Sequence, residues 1–316
     1  MTSMIRIGSR GSALALVQAN GVMAALGEGT SLTIIKTTGD NNQETPLELF
    51  GGVGVFTKEL ERALLRDQID LAVHSLKDLP VEQPAGLRMG AIPMRAPPAD
   101  LLLVRKEALD LEQEFPVKHN AILGTSSSRR RSLAANYRPD LKAVNLRGNV
   151  PTRLRKCVDG ECDAIILAHA GLHRLECDLS HLAVFELNPF RWPCAPGQGA
   201  LGLEVREGDE NTITRISCLE HPETRACVDA ERMLLQITGG GCHSAFGALA
   251  QVQSTKANIT IAMLDDTHGF RLSQFEGINL EAAVQEAVSW LTKGAPPMSE
   301  LNNSTEWLCR PLPVSS

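Results

Sequence analysis

The chain has few aromatic residues and no long apolar run. Aromatics make up 4% of its 316 residues, and one of them is a tyrosine. A surface that stacks nucleic-acid bases needs several aromatics, and the isoelectric point of about 5.8 also disfavours a nucleic-acid partner. No apolar run reaches the roughly 20 residues of a membrane-spanning helix. We therefore expect neither a nucleic-acid-binding protein nor a membrane protein.

Motifs for metal binding and for secretion are missing as well. The eight cysteines include no C-x-x-C pair, which argues against a zinc site and against a small disulfide-bonded scaffold. We expect most of them to be reduced and buried, and we expect no bound metal. Residues 1–7 resemble neither a signal peptide nor an organellar targeting peptide, so the sequence favours a cytoplasmic protein.

The net charge of −6 hides a strongly basic segment. Residues 129–156 hold seven Arg and two Lys against one acid, Asp140, so this segment carries +8 and the rest of the chain carries −14. Such a run is often the solvated face of a helix. Because Arg outnumbers Lys, and because a planar guanidinium suits carboxylates and phosphates, the composition also favours a site for an anionic small molecule.

Short β-type runs alternate with helical patterns over the first two hundred residues, which predicts an α/β fold. We predict a discontinuous α/β domain 1 (residues 1–97 with 198–217), an α/β domain 2 (98–197) and a small α+β domain 3 (218–316). The strand at residues 201–205 is then expected to return to domain 1. The tail after Gly294 has no periodicity and is expected to be loosely held.

Polar clusters follow four of the predicted strands, at residues 9–12, 74–78, 124–131 and 147–149. In open α/β sheets, ligands bind at the carboxyl ends of strands. Two of the clusters place Ser or Thr beside the start of a helix, where free N–H groups attract anions. We therefore expect a cleft, lined by two α/β units, that binds several carboxylates.

Two residues in these patterns are candidates for chemistry. Asp78 could be a simple turn residue, because Asp-Leu-Pro after a strand is common in turns. It could instead act as a general acid and stabilise a developing cation. Cys242 follows three glycines, and it could be a buried structural thiol or an accessible nucleophile or attachment point.

Six motifs occur in the order found in the porphobilinogen deaminase family, which the chain resembles over residues 4–290. One such motif would be weak evidence, whereas six in order are specific. They are VHSLKDLP (73–80), GTSS with RR (124–130), LRGN with TRL (146–154), AIILA with AGL (164–172), GQGALG (197–202) and GGC (240–242).

The resemblance implies two α/β domains like those of type II periplasmic binding proteins, followed by a small α+β C-terminal domain. It implies a dipyrromethane cofactor joined by a thioether to Cys242. It also implies a transferase of haem biosynthesis that joins four porphobilinogen molecules head to tail, releases ammonia and yields hydroxymethylbilane. A monomer is expected, with the small-molecule substrate as its partner.

Site residues follow from the resemblance by motif position, and Asp78 corresponds to the family's catalytic aspartate. The implied cofactor contacts are Cys242, Lys77, Ser12, Thr125, Ser126, Ser127, Arg129, Arg130, Arg147 and Gly148. The implied substrate contacts are Arg10, Arg153, Arg174, Phe56 and Gln198.

The chain also departs from the family's pattern. Leu49 and Val53 stand where Lys is usual in the loop before Phe56, and Gly239 stands where Glu is usual. We hypothesise that loop 41–56 closes less firmly than in relatives. Two other functions stay open, namely a non-enzymatic anion-binding protein of the same fold and an inactive paralogue. Smaller departures occur at Thr238, Ser128, Pro196 and Ala245.

Overall fold

The computed structural model describes residues 4–36, 57–239, 244–253, 256–265, 269–293 and 307–313. The chain divides into two compact units. Unit 1 comprises Met1–Ala96 and Gly197–Ala226, and unit 2 comprises Pro97–Pro196 and Cys227–Ser316. Each unit contains a mixed β-sheet covered by helices, so the predicted α/β class is confirmed.

Unit 1 is built on a sheet of parallel and antiparallel strands. Its described strands are β1 (Ile5–Ser9), β2 (Thr30–Ile34), β3 (Leu71–Ser75), β4 (Leu87–Ala91) and β10 (Leu201–Arg206). They lie in the order β2-β1-β3-β10-β4, in which β1 is parallel to both neighbours and β10 is antiparallel to β3 and β4. The late strand β10 thus returns to the first sheet, as the sequence predicted.

Helices cover both faces of this sheet because side chains alternate along each strand. Leu71 and Val73 of β3 share a core cluster with Val22, whereas Ala72 packs with Leu60 and Leu64. These partners belong to helices α1 (Ala13–Leu26) and α2 (Lys58–Leu65), and α6 (Glu210–Ile216) completes the unit. Thr57 precedes α2, but its side chain makes no capping hydrogen bond.

Unit 2 repeats this strand arrangement. Its larger sheet contains β5 (Asp100–Arg105), β6 (Ile122–Gly124), β7 (Lys142–Val144), β8 (Ala164–Ala168), β9 (Leu182–Leu187) and β14 (Cys309–Pro311). Apart from the edge strand β14, its strands lie in the order β7-β6-β8-β5-β9. The first three of these strands are parallel to one another, the fourth comes from elsewhere in the chain and is antiparallel to both of its neighbours, and the fifth follows it. The same description fits unit 1, which gives the pair of periplasmic-binding-protein-like α/β folds expected from the sequence.

Three helices follow the strand ends of unit 2, namely α3 (Ser128–Tyr137), α4 (Val150–Val158) and α5 (His169–Arg174). Helix α4 begins and ends at residues that are typical of helix boundaries. The Asn149 side chain accepts a hydrogen bond from Thr152 N at 2.9 Å, Pro151 lies in the first turn, and Gly160 has a φ of 87° just past the end.

The C-terminal third forms the predicted α+β segment. It comprises α7 (Pro222–Ile237), the antiparallel strands β11 (Phe246–Gln253), β12 (Lys256–Asp265) and β13 (Gly269–Gly277), and α8 (Leu280–Lys293). Ala262 and Leu272 share a core cluster with Leu133 of α3, so the small sheet packs within unit 2. The division into three domains stays a prediction. The expectation of a loose tail is wrong for Cys309–Pro311, which pairs with β9.

Other expectations concern cysteine, membranes and metals. The seven cysteines in the described residues are free, and four of them are buried. No helix in the part of the chain that the structure describes is long and apolar enough to cross a membrane. The same residues contain no group of three or more His, Cys, Asp or Glu side chains that could hold a metal ion.

Candidate functional site

In unit 1 the predicted site residues lie at the carboxyl ends of two parallel strands. Strand β1 ends at Ser9, and the neighbouring strand β3 ends at Ser75. Gln18 of α1 ties this edge together, because it is buried and its Nε2 donates to Ser75 Oγ at 2.8 Å. The residues that follow the two strand ends are Arg10, Ser12, Lys77 and Asp78.

Asp78 is exposed at the end of a single 3-10 turn, Leu76–Asp78. The turn is anchored by Leu76, whose side chain is buried and whose N–H donates to Ala200 O at 3.0 Å. Anchoring one side of the turn holds the Asp78 carboxylate at the surface of the strand edge. Such a carboxylate can hydrogen-bond a ligand and stabilise a nearby cation.

Gln198 lies beneath the Asp78 turn. It is 1% exposed, its Oε1 accepts from Lys77 Nζ at 3.5 Å, and its carbonyl accepts from Arg95 Nε at 2.7 Å. These contacts make Gln198 a support for Lys77. Its predicted contact with substrate stays a prediction.

A buried His–Glu side-chain contact holds β3 four residues before Asp78. His74 Nε2 lies 2.9 Å from Glu204 Oε2 of β10, and both side chains are almost completely buried. Glu61 of α2 is also buried, and this burial raises the pKa of its carboxyl group. His74 belongs to the VHSLKDLP motif, but no local pattern predicts Glu204 as its partner, because only the pairing of β3 with β10 brings the two together.

In unit 2 the predicted residues again follow parallel strand ends. Strands β6, β7 and β8 are parallel neighbours that end at Gly124, Val144 and Ala168. Their carboxyl ends therefore meet at one edge of the sheet. The predicted residues in the loops and helices that follow are Thr125, Ser126, Ser127, Arg147, Gly148, Arg153 and Arg174.

Hydrogen bonds join these loops to one another. Ser126 Oγ donates to Leu146 O at 2.9 Å, and Ser127 Oγ accepts from Arg130 N at 3.4 Å at the start of α3. Arg153 Nε donates to Gly148 O at 2.7 Å. Gly148 has a φ of 113°, and a Cβ there would lie 2.6 Å from Thr152 Cγ2, so glycine is required. The Arg153 side chain is thus attached to the loop that carries Arg147.

Arg174 ends α5 in a partly buried position. Burial lowers the pKa of its guanidinium, although arginine remains charged at any physiological pH. A charged group that has lost part of its hydration favours an anionic partner.

Arg129 and Arg130 lie at this edge but are buried, with exposures of 4% and 7%. Both donate to Asp100, which starts β5 and pairs with Ala168 at the end of β8. Arg129 Nη2 lies 2.8 Å from Asp100 Oδ2, and Arg130 Nη2 lies 2.6 Å from Oδ1. Trp192 Nε1 also donates to Oδ2, at 3.1 Å.

The charges of the two arginines decide the ionisation of Asp100. Complete burial would by itself raise the pKa of this carboxyl group. The positive charges of Arg129 and Arg130 outweigh that effect and hold the pKa well below its usual range. Sequence reasoning missed Asp100, because it lies 29 and 30 residues before its partners and starts an apolar strand.

Two guanidinium groups and one carboxylate leave the Arg129–Asp100–Arg130 triad with a net charge of +1. Arg129 Nε is also buried without a hydrogen-bond partner in the described part of the chain. An unbalanced charge and an unused buried donor both cost free energy. The triad therefore fits an anionic ligand.

Some predicted residues cannot be placed. Phe56, Cys242 and loop 41–56 lie outside the described residues. Strand β11, which begins four residues after Cys242, packs on the triad, since a Cβ on Gly247 would lie 3.0 Å from Arg129 Cδ and 2.7 Å from Pro193 O. The expected cleft lined by both units stays a prediction.

The class of protein follows from these features. Two similar α/β units carry arginines and hydroxyl groups at their strand ends, as in proteins that bind polyanionic small molecules. The exposed Asp78 adds an acid to the cations of unit 1.

Comparison with known proteins identifies the family. Residues 5–214 match the model for the porphobilinogen deaminase, dipyromethane cofactor binding domain. The porphobilinogen deaminase of Syntrophobacter fumaroxidans is 42% identical over 86% of this chain and 88% of its own length. That of Desulforamulus reducens is 39% identical over 95% and 98%, and that of Nitratidesulfovibrio vulgaris is 48% identical over 75% of each. The chain belongs to the porphobilinogen deaminase family.

Solved structures give a weaker likeness. YhfZ from Shigella flexneri has a TM-score of 0.34 at 14% identity, covering 75% of this chain and 96% of its own. An arginine-specific periplasmic binding protein of Salmonella typhimurium has a TM-score of 0.36 at 10% identity, covering 74% and 93%. Because both scores lie below 0.5, the description of the fold depends on the strand order and not on these neighbours.

The matched family domain binds a dipyrromethane cofactor. The resemblance implies that this cofactor is made from two porphobilinogen units, each of which carries carboxylates. The residues of unit 2 fit such a group. They provide the net positive triad, the unused donor of Arg129 and the hydroxyl groups of residues 125–127.

Proposed function

We propose that the chain is a porphobilinogen deaminase, a transferase of tetrapyrrole synthesis. It joins four porphobilinogen molecules head to tail and releases ammonia and hydroxymethylbilane. The observation that carries the proposal is the exposed Asp78 at the carboxyl end of β3, because the other candidate side chains at that edge are cationic or neutral. The proposal includes a location in the cytoplasm and a monomeric state. The molar mass in solution would test the monomeric state.

The dipyrromethane, when bound, supplies a primer whose free pyrrole carbon receives the first substrate unit. Cys242 would attach it through a thioether. The three glycines before Cys242 and the packing of β11 against Arg129 support this assignment. The residues that would hold its carboxylates and ring nitrogens are Ser12, Lys77, Thr125, Ser126, Ser127, Arg129, Arg130, Arg147 and Gly148.

Arginines also bind the substrate in this proposal. Each porphobilinogen carries one acetate and one propionate, so a growing chain of four units is strongly anionic. Arg10, Arg153 and Arg174, with Phe56 and Gln198, would bind these units. A charge-assisted hydrogen bond of this kind contributes about 1.5–3 kcal/mol, so several are needed to hold the chain.

Asp78 acts on the reacting unit. When the C–N bond of the aminomethyl group breaks, the nitrogen leaves with the bonding electrons as ammonia, and a cation spreads over the pyrrole ring. A carboxylate that accepts a hydrogen bond from the ring N–H stabilises this cation, and it can also deliver a proton to the leaving amine. The new carbon–carbon bond then forms, and the proton displaced from the attacked carbon returns to solvent.

The intact mass of the purified chain tests the proposal. The wild type is expected to carry an adduct of two pyrrole units, and Cys242→Ser is expected to lack it. Cys218→Ser, at an exposed cysteine, is the matched control and should keep the adduct. An unmodified wild-type chain would favour a non-enzymatic binding protein, and a loaded chain that does not consume porphobilinogen would be an inactive paralogue.

A further inference from the structure

We infer that Asp100 is a positioning residue for cofactor assembly, because it orients the buried guanidinium groups of Arg129 and Arg130 toward the carboxylates of the incoming pyrroles. The inference rests on the proposed function. It extends that function by assigning a role to a residue that lies outside the family motifs quoted above.

The hydrogen bonds of Arg130 fix its orientation. Its Nε and Nη2 both donate to Asp100, at 3.1 and 2.6 Å, and its Nη1 donates to Ile166 O at 2.9 Å. A guanidinium has five N–H donors, so these three bonds hold the plane and leave two donors for a ligand.

Arg129 is held in a similar way but with more donors unused. Its Nη2 donates to Asp100 and its Nη1 to Pro193 O, both at 2.8 Å. Its Nε–H is buried without a partner in the described residues. An arginine that served packing alone would be expected to satisfy this donor, since an unused buried donor is unfavourable.

The charge of Asp100 is as important as its geometry. One carboxylate keeps two adjacent guanidinium groups close together, yet it neutralises only one of them. The remaining positive charge attracts an anion, whereas a second acid would have cancelled it. Asp100 thus holds the arginines in place without removing their affinity for a ligand carboxylate.

A purely structural ion pair offers a matched comparison in the same unit. Asp140 accepts from Arg138 Nε at 2.7 Å and Nη2 at 2.8 Å, and Arg138 is also 7% exposed. Arg138 also donates to the backbone oxygens Phe115 O and Val117 O, and neither residue belongs to the predicted site. Loss of Asp140 should therefore lower stability without affecting cofactor loading.

The experiment compares Asp100→Asn, Asp100→Glu and Asp140→Asn with the wild type. Thermal unfolding and the KM for porphobilinogen are measured for each, together with the fraction of purified chain that carries the two-pyrrole adduct in the intact mass spectrum. We expect the loaded fraction to fall at least fivefold in Asp100→Asn and to recover in part in Asp100→Glu. Asp140→Asn should lose thermal stability and stay loaded.

The outcomes are distinguishable. An Asp100→Asn chain that folds and is loaded as fully as Asp140→Asn, with a wild-type KM, would overturn the role of Asp100 and leave the proposed function intact. If Asp100→Asn does not fold, full loading and a wild-type KM in Asp100→Glu would overturn it. A wild type without any adduct would overturn the proposed function, and the inference with it.

Discussion

The two units share one strand order but carry different chemistry at their strand ends. In unit 1 the edge presents the exposed Asp78 beside Lys77, above a buried His74–Glu204 pair. In unit 2 the edge presents hydroxyl groups and arginines. The acid at this edge, Asp100, is completely buried and accepts hydrogen bonds from two of the arginines, Arg129 and Arg130. In the proposed function, the acid that acts on the ligand is exposed, whereas the acid that positions other groups is buried.

The arginines of unit 2 differ among themselves in the same way. Arg129 and Arg130 are anchored from inside by Asp100, and Arg153 is attached to the Gly148 loop from a half-buried position. Anchored side chains lose less conformational freedom when a ligand binds. We expect buried Arg129 and Arg130 to contribute most to binding of the permanently attached cofactor. The half-buried arginines are expected to contribute most to binding and release of substrate.

The largest effect is expected at the exposed acid of unit 1. Asp78→Asn removes the negative charge that we propose stabilises the cation, while it keeps the shape of the side chain. Loss of one such group lowers kcat by about 10²–10³ or more. Substrate binding should remain, as measured by equilibrium titration. Asp159→Asn, an exposed acid after α4, is the control and should leave kcat unchanged; near-normal turnover in Asp78→Asn would refute the assigned role.

A smaller effect is expected at the half-buried arginine of unit 2. Arg153→Gln removes a charge-assisted contact and should raise KM by about 10- to 100-fold, with a lesser effect on kcat. Arg155→Gln, an exposed position two residues along the same helix, is the control. Equal KM values for the two variants would show that Arg153 does not bind substrate.

The opposite end of strand β3 provides a stability comparison for Asp78. Asp70 accepts from Arg6 Nη2 at 2.7 Å and from Arg206 Nη2 at 2.9 Å. Burial would raise the pKa of Asp70, but hydrogen bonds from these two arginines outweigh it and lower the pKa to about 2. Because the folded-state pKa is depressed, the stabilisation is present above about pH 4 and is lost as the pH falls toward 2.

Asp70→Asn should therefore lower the free energy of unfolding by about 1–2 kcal/mol near neutral pH and flatten its decline between pH 4 and 2. Turnover should not change, unlike in Asp78→Asn. Asp67→Asn removes a highly exposed partner of the same Arg6 and should cost less than about 1 kcal/mol. Chemical denaturation across this pH range measures both variants, and an unaltered pH profile in Asp70→Asn would contradict the account.

The smallest effect is expected at a helix start in unit 2. Asn149 caps α4, the helix that carries Arg153, through its hydrogen bond from Thr152 N. Asn149→Ala should cost about 1 kcal/mol of stability and raise KM only slightly, because Gly148 O still holds Arg153. Asn149→Ser should restore most of the stability, since Ser is also a good cap. A KM increase as large as that of Arg153→Gln would show that the cap controls binding.

Local patterns predicted much of the fold and the site. The caps of α4, the strand that returns to unit 1 and the residues at the strand ends all follow from short-range signals. Asp100 and Glu204 could not be predicted, because their partners are distant in sequence and only strand pairing joins them. Strand β14 could not be predicted for the same reason. Its three residues are too few to show a strand pattern, and its partner β9 is distant in sequence.

The central claim is that Asp78 performs the chemistry while the arginines hold the anionic chain. It is tested most directly by the intact mass of the purified protein after brief exposure to porphobilinogen. The wild type should show successive additions of one porphobilinogen less ammonia, and Arg153→Gln should show the same additions at higher substrate concentration. Asp78→Asn should show none at any concentration. Additions to Asp78→Asn at the wild-type rate would contradict the account.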